Sequence, residues 1–210
     1  MDLIAGLTDE NASTRLKAAL AIGSNPDPGL VETLVARCAT EPDFYVRDML
    51  TWALTRHPND ITVPRLLAEL SSEDAQARSQ ALHTLSKIKD ASTWPAITRS
   101  LLRDPNDEVA RSAWRAAVIL VPDGQKKDLA EELAAQFGRG SQDLQLSLSR
   151  ALIALGEGVV EPILRQAMAS DKQAIRTHAS ATERLLRDPN ASFEFAVQEA
   201  RRMFVLGKER

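Results

Sequence analysis

Four stretches decide the fold: NASTRLKAALAI (residues 11–22), DFYVRDMLTWAL (43–54), DAQARSQALHTL (74–85) and DEVARSAWRAAV (107–118). Each opens on Asn or Asp, places an arginine four residues later and continues with apolar residues at helical spacing. Two weaker copies follow, SQDLQLSLSRAL (141–152) and KQAIRTHASATE (172–183). The anchor positions Arg15, Arg47, Arg78, Arg111, Gln145 and Arg176 stand 31 to 34 residues apart. A fixed period in that range marks a solenoid, in which each unit buries its apolar face on the next.

Each copy also explains where its helix starts. Asn11, Asp43, Asp74, Asp107 and Ser141 are side chains that accept from the free N–H groups of a first turn, and the carboxylates meet the positive end of the helix dipole. In the sixth copy Lys172 holds that position, so Ser170 or Asp171 is expected to cap instead. Counted from the arginine, positions plus three, plus six, plus seven and minus one fall on one face at about 100° per residue. They read Ala18, Leu50, Ala81, Trp114, Leu148 and Ala179 at plus three, with Ala, Thr, Leu, Ile and Val dominating the others. This is one buried seam per repeat, in which small residues let neighbouring helices approach.

A second apolar series lies between these helices, including Leu30, Leu34, Val35 and Cys38, then Ile61, Val63, Leu66 and Leu70, then Ile97, Leu101 and Leu102. Pro64, Pro95 and Pro162 are expected in the first turns of this series, where proline loses little. Turn chemistry recurs at the same period in NPDPG (25–29), HPND (57–60), PDG (122–124), GEG (156–158) and DPN (188–190). The pair Gly138 and Gly140 reads as a turn, having no preceding strand or Walker lysine to make it a phosphate cradle. Each unit is therefore a helical hairpin. Composition agrees: of 210 residues 44% are hydrophobic and 26% charged, while aromatics are only 4%, which favours helix over sheet and excludes a disordered tail. The lone cysteine excludes a disulfide framework or a cysteine-based zinc cage, and Cys38 is expected in the core. The start, MDLIAGLTDE, lacks a signal peptide's basic region, and no apolar run approaches the roughly 20 residues of a membrane span, so a cytoplasmic location is expected.

Motifs such as EPDFYVRDMLTWAL and DPNDEVARSAWRAAV resemble HEAT repeats, in particular the short bacterial kind of phycobilisome-lyase-like proteins. The resemblance runs from about residue 7 to residue 187. It implies an all-α, right-handed α-solenoid of about six HEAT-type hairpins with a C-terminal capping helix. The boundaries are roughly 1–24, 25–57, 58–89, 90–122, 123–156 and 157–188, with 189–207 as the cap, in one solenoid over 1–210. In the family the arginine typically belongs to an Asp–Arg ladder between repeats, which assigns Arg15, Arg47, Arg78, Arg111 and Arg176 a structural role. Gln145 departs from that pattern, so the ladder is expected to be interrupted or differently bonded at the fifth repeat. In the C-terminal stretch Phe193, Val197, Ala200 and Phe204 share a side, while Phe195, Met203 and Val205 cannot all face it and offer a partner surface as the alternative.

The resemblance also places the arginine-bearing helices on a concave side. Their face opposite the seam is positions plus one, plus five and plus eight, with plus four at its edge. Asp48, Trp52, His83, Arg115 and Arg150 are the candidate partner-binding residues of that face. Asp48 and Trp52 are one turn apart, and His83 is the equivalent of Trp52 one repeat onward. An exposed Trp within a polar rim is the anatomy of a binding hot spot; the other reading is that Trp52 fills a gap between repeats. Trp114 reads as seam. His57, His83 and His178 lack close ligand spacing and read as surface or groove histidines, so no metal and no cofactor is expected. No serine stands in a nucleophile elbow. The expected function is a non-enzymatic scaffold that binds a protein or peptide on the concave face. Two alternatives come from the resemblance: a lyase-like enzyme acting on a chromophore or small ligand, and a nucleic-acid-binding protein like the HEAT-like alkylpurine glycosylases. The net charge of −3 argues against nucleic acid, no membrane is implied, and the oligomeric state stays open.

Overall fold

The computed structural model describes residues 2–190 and 192–207, without the side chains at 194, 195 and 203–207. Among the described residues every regular element is helical. The chain divides into two compact units, one ending at Leu120 and the other beginning at Val121. In the first, α1 (Leu3–Leu7) packs on α2 (Ala12–Ser24), α3 (Val31–Thr40) on α4 (Phe44–Thr55), α5 (Asn59–Glu69) on α6 (Ala75–Ile88), and α7 (Arg99–Leu102) on α8 (Asp107–Leu120). The arginine-bearing helices α2, α4, α6 and α8 lie side by side in that order. The second unit holds α9 (Lys126–Ala134), α10 (Gln142–Ala154), α11 (Glu157–Met168), α12 (Gln173–Arg187) and α13 (Phe193–Gly207). There α9 packs on α11, α10 on α12, and α13 on α12.

The helices start where their side chains cap them. Asn11, Asp43, Asp74 and Ser141 each accept from first-turn N–H groups, each such bond contributing about 1 kcal/mol. At α8 the cap is Asn106 and not Asp107: Asn106 Oδ1 accepts from Glu108 at 3.0 Å and Val109 at 3.3 Å, which makes Asp107 the first helical residue. Lys172 supplies no side-chain cap to α12. Ser170 Oγ takes only the Lys172 N–H, at 3.3 Å, so it shapes the entry turn without satisfying the first helical turn. Prolines also sit later than expected. Pro64 and Pro162 lie in the second turns of α5 and α11, because those helices already begin at Asn59 and Glu157. Each removes one i→i−4 bond, to the carbonyls of Asp60 and Gly158. Pro95 falls in a 3-10 segment, Ala91–Ala96, which leaves α7 a single turn.

The seam is as the period dictates: Ala18, Leu50, Ala81, Trp114, Leu148 and Ala179 are all buried. Trp114 also satisfies its indole N–H on the Leu102 carbonyl at 2.8 Å. Cys38 is buried in the first unit, and burial pushes its thiol up to about 12. Position plus four is closed in four repeats, where Ala19, Thr51, Leu82 and Ser149 are buried, and open at the exposed Arg115. There the hydroxyls pair across helices at a spacing of one repeat: Thr51 with Thr84 at 3.4 Å and Ser149 with Thr182 at 2.7 Å. The end cap is α13, whose Phe193, Ala196 and Val197 close over Ala181 and Leu185 of α12. Phe195, Met203, Phe204 and Val205 lie outside the described side chains.

Candidate functional site

The anchor residues do two jobs. The first is a clamp inside the repeat, in which one side-chain nitrogen grips the loop before its own helix; among the described residues every anchor but Arg111 makes it. Arg15 Nη1 donates to the carbonyls of Asp9 and Glu10, both at 2.9 Å. Arg47 Nη1 donates to Glu41 at 2.8 Å and Pro42 at 2.7 Å, and Arg78 Nη1 to Ser72 at 2.7 Å and Glu73 at 3.0 Å. Arg176 holds the Ser170 carbonyl at 2.6 Å. Gln145, the departure from the pattern, keeps the clamp by donating to the Gly140 carbonyl at 3.3 Å.

The second job crosses repeats, and only some anchors perform it. Arg15 forks onto Glu41 through Nε and Nη2, both at 2.8 Å, and Arg78 reaches Asp104 through Nε at 3.1 Å and Nη2 at 3.3 Å. Glu41 is fully buried and also accepts from Arg37, at 2.6 and 3.0 Å, and from the Asp43 N–H at 2.9 Å. Burial works to raise its pKa, but Arg15, the Asp43 N–H and Arg37 outweigh that and hold the carboxyl at about 2. Glu41 and Asp104 stand 26 residues beyond their arginines. At that distance from Arg47 the chain has the exposed Glu73, and from Arg111 it has Phe137. Among the described residues the hydrogen bonds of Arg47 are accordingly those of its clamp alone. Arg111 meets a carboxylate only at Glu108, one turn back at 3.6 Å, and its buried Nε has no hydrogen-bond partner among the described residues.

Arg47 and Arg111 line the same cleft. It is about 260 Å3, set between α4, α6 and α8 of the first unit, and it also takes in Asp48, His83 and Arg115. His83 joins these walls: Nδ1 is 3.4 Å from Arg115 Nη1 and Nε2 is 4.0 Å from Asp48 Oδ1. Its burial, then Arg115 and Lys87, lower its pKa against the smaller upward pull of Asp48. Ser79 and Ser112 bond to each other at 3.0 Å, with Ser79 also 3.4 Å from the Glu108 carbonyl.

Three of the five expected binding residues, Asp48, His83 and Arg115, are thus brought together. Trp52 is not in the lining. Its ring lies over Gly23 of α2, so close that a Cβ at Gly23 would collide with it, yet 37% of the residue stays exposed. Trp52 therefore packs between α2 and α4 and keeps one side open to solvent. Arg150 is exposed on α10, in the second unit. In that unit the expected open face is not open at α12, where Thr177 and Ala181 are buried and α13 packs on the helix.

Sequence reasoning missed the rim. Phe44 and Tyr45 begin α4 edge to face, ring centroids 5.6 Å apart, and are 65% and 73% exposed. Phe44 lines the cleft, and Phe44, Asp48 and Trp52 recur every four residues on one face of α4. Two adjacent aromatics just after an Asp cap, in a chain with so few, were the available signal.

Two histidines read as surface or groove are buried instead. His57 faces the carbonyls of Ala53 at 2.8 Å and Asp27 at 3.1 Å. His178 accepts the Gly138 N–H on Nδ1 at 3.0 Å, which leaves its proton on Nε2, 2.9 Å from the Gln145 carbonyl. Phe137 and Phe193 meet its ring edge-on at 4.8 and 5.9 Å. Burial drives its pKa down to about 4, against the Gln145 bond. Gly138, at φ 82°, reaches this bond from a backbone region that favours glycine. Among the described residues no three His, Cys, Asp or Glu side chains gather as a metal-ligand group, and no helix is long and apolar enough to cross a membrane.

The model of the HEAT repeats family matches residues 31–119. No curated protein sequence matches the chain. Among solved structures it is similar to the complex of CpcE and CpcF of phycocyanin lyase from Nostoc sp. PCC7120, at 19% identity over 94% of this chain and 85% of that one, with a TM-score of 0.49. It is also similar to human deoxyhypusine hydroxylase in complex with glycerol, at 15% identity over 96% and 94% of the two chains and a TM-score of 0.47. A designed armadillo repeat protein aligns at 14% identity over 88% and 98%, with a TM-score of 0.45. Residues 31–119, from α3 through α8, are HEAT repeats.

Proposed function

We propose that the chain is a non-enzymatic interaction scaffold that holds a protein or peptide segment on the face formed by α2, α4, α6 and α8. The observation that carries this reading is the cleft of Asp48, His83 and Arg115 bordered by the exposed Phe44, which Tyr45 meets edge to face, with Trp52 two turns along the same helix. Exposed aromatics and arginines beside a polar cleft are the residue types that dominate binding energy at interfaces. A bacterial, cytoplasmic setting accompanies this reading, supported by the single buried cysteine and the sequence motifs.

Panning a displayed peptide library on the folded protein tests it. Recovered peptides are expected to bind the wild type and to weaken roughly tenfold or more, about 1.4 kcal/mol, on Trp52→Ala/His83→Ala. Peptides that bind both proteins equally, or none recovered at all, would count against the scaffold.

A further inference from the structure

We infer that Arg47, Arg111 and Arg115 form an oxyanion-binding site, so that the segment held on this face is anchored by a carboxylate or phosphate group. The inference rests on reading the face as a binding surface and adds the chemistry of what it grips.

The argument starts from the alternation of the cross-repeat pairs. Arg15 and Arg78 have their forks filled by Glu41 and Asp104. Arg47 and Arg111, the alternate anchors, do not, and they are the two that converge on the cleft over α6. A guanidinium carries five N–H donors in a planar fork. Arg47 spends Nη1 on its loop, and Arg111 leaves a buried Nε without an acceptor among the described residues. An unsatisfied buried donor is costly, so the site is short of acceptors. Arg115, exposed on the next turn of α8, adds a third guanidinium, and its one hydrogen-bond contact among the described residues is the long one to His83. Two carboxylates oppose them: Glu108, 3.6 Å from Arg111, and the exposed Asp48, 4.0 Å from His83. Neither makes the close bidentate pair seen at Glu41, so three cations face two loosely engaged acids.

The dimensions suit a single anionic group. A cleft of about 260 Å3 is the room of roughly nine water molecules at about 30 Å3 each. That takes one acidic or phosphorylated side chain, and an Arg fork matches its oxygens in pairs. Phe44 at the mouth offers an apolar contact to a neighbouring residue of the same segment.

Fluorescence anisotropy with two labelled peptides tests the site and separates the two sources of the anion. One is hexaglutamate, the other a Gly/Ser peptide with a single phosphoserine; hexalysine is the control. Binding of either anionic peptide, displaced by inorganic phosphate and falling as salt rises, is expected, and the better binder identifies the group. Arg115→Glu should weaken that binding roughly tenfold or more. Lys127→Glu makes the same change in charge on an exposed residue of the second unit, and should leave binding unchanged. Arg115 is exposed, so the substitution spares the core; unchanged thermal melting confirms that. Loss of binding in both variants alike, or no binding of either anion by the folded wild type, overturns the site. Peptides that depend on Trp52 but carry no acidic group would leave the scaffold standing and remove only the anion site.

Discussion

Gly23 and Trp52 show how much one atom decides in this seam. The α2 backbone at Gly23 is flush with the indole, and its hypothetical Cβ would sit 2.7 Å from Trp52 Cε3 and 2.9 Å from the Ala53 Cα. Gly23→Ala must push the ring outward or part α2 from α4, and should cost about 1–3 kcal/mol, read as a lower melting temperature with greater exposure of Trp52. Glu41 is another single-residue pivot. Its folded pKa of about 2 lies below the ordinary 4.5, so its contribution is complete above pH 4.5 and fades as the pH falls toward 2. Glu41→Gln removes that charge from between two guanidinium groups and should lower the melting temperature at pH 7, while flattening the acid dependence in that window. Neither partner was legible in the sequence. Glu41 looks like a loop acid before a proline, and only the fold shows that a residue 26 positions from Arg15 is its match.

The elements themselves were legible because their causes are local. A cap, an arginine one turn on and an apolar face at helical spacing put α2, α4, α6 and α8 where the repeats placed them; α10 keeps the cap and the face with Gln145 as anchor, and α12 the arginine and the face without a side-chain cap. What blurred was set by neighbours. Asn106 outcompetes Asp107 as a cap because the Asp104 carboxylate also holds the Asn106 N–H, at 2.8 Å, and so fixes the turn one residue early. The paired hydroxyls between helices were hidden because a serine or threonine on a helix gives no hint of which neighbour it meets. At the element scale the test is α13. Truncation after residue 188 would uncover Ala181 and Leu185 and remove Phe193 from His178. The second unit should lose several kcal/mol, visible as dye binding to exposed apolar surface and faster amide exchange in α12.

Among the described residues the two carboxyl and imidazole groups shifted furthest lie one in each unit. In the second, His178 is buried neutral, its folded pKa of about 4 below the ordinary 6.5. Its contribution is therefore present above pH 6.5 and lost as the pH falls toward 4, a difference on the order of 3 kcal/mol. In the first unit Glu41 responds only at lower pH, and His83 is lowered less than His178. Acid titration should accordingly loosen residues 121–207 before 2–120, and hydrogen exchange resolved by peptide checks the order. All three tryptophans, Trp52, Trp94 and Trp114, belong to the first unit. Their emission should stay native through the pH range in which circular dichroism already declines, and the opposite order would remove His178 as the determinant.

The within-repeat clamp has an evolutionary consequence. An arginine that ties down its own loop travels intact whenever a repeat is copied in tandem, because both halves of the contact are inherited together. The cross-repeat bond does not travel that way, since its acid belongs to the next copy. Gain or loss of a single carboxylate in a neighbour can thus convert the same arginine from mortar between repeats into an open hand on the surface, with the hairpin that bears it unchanged.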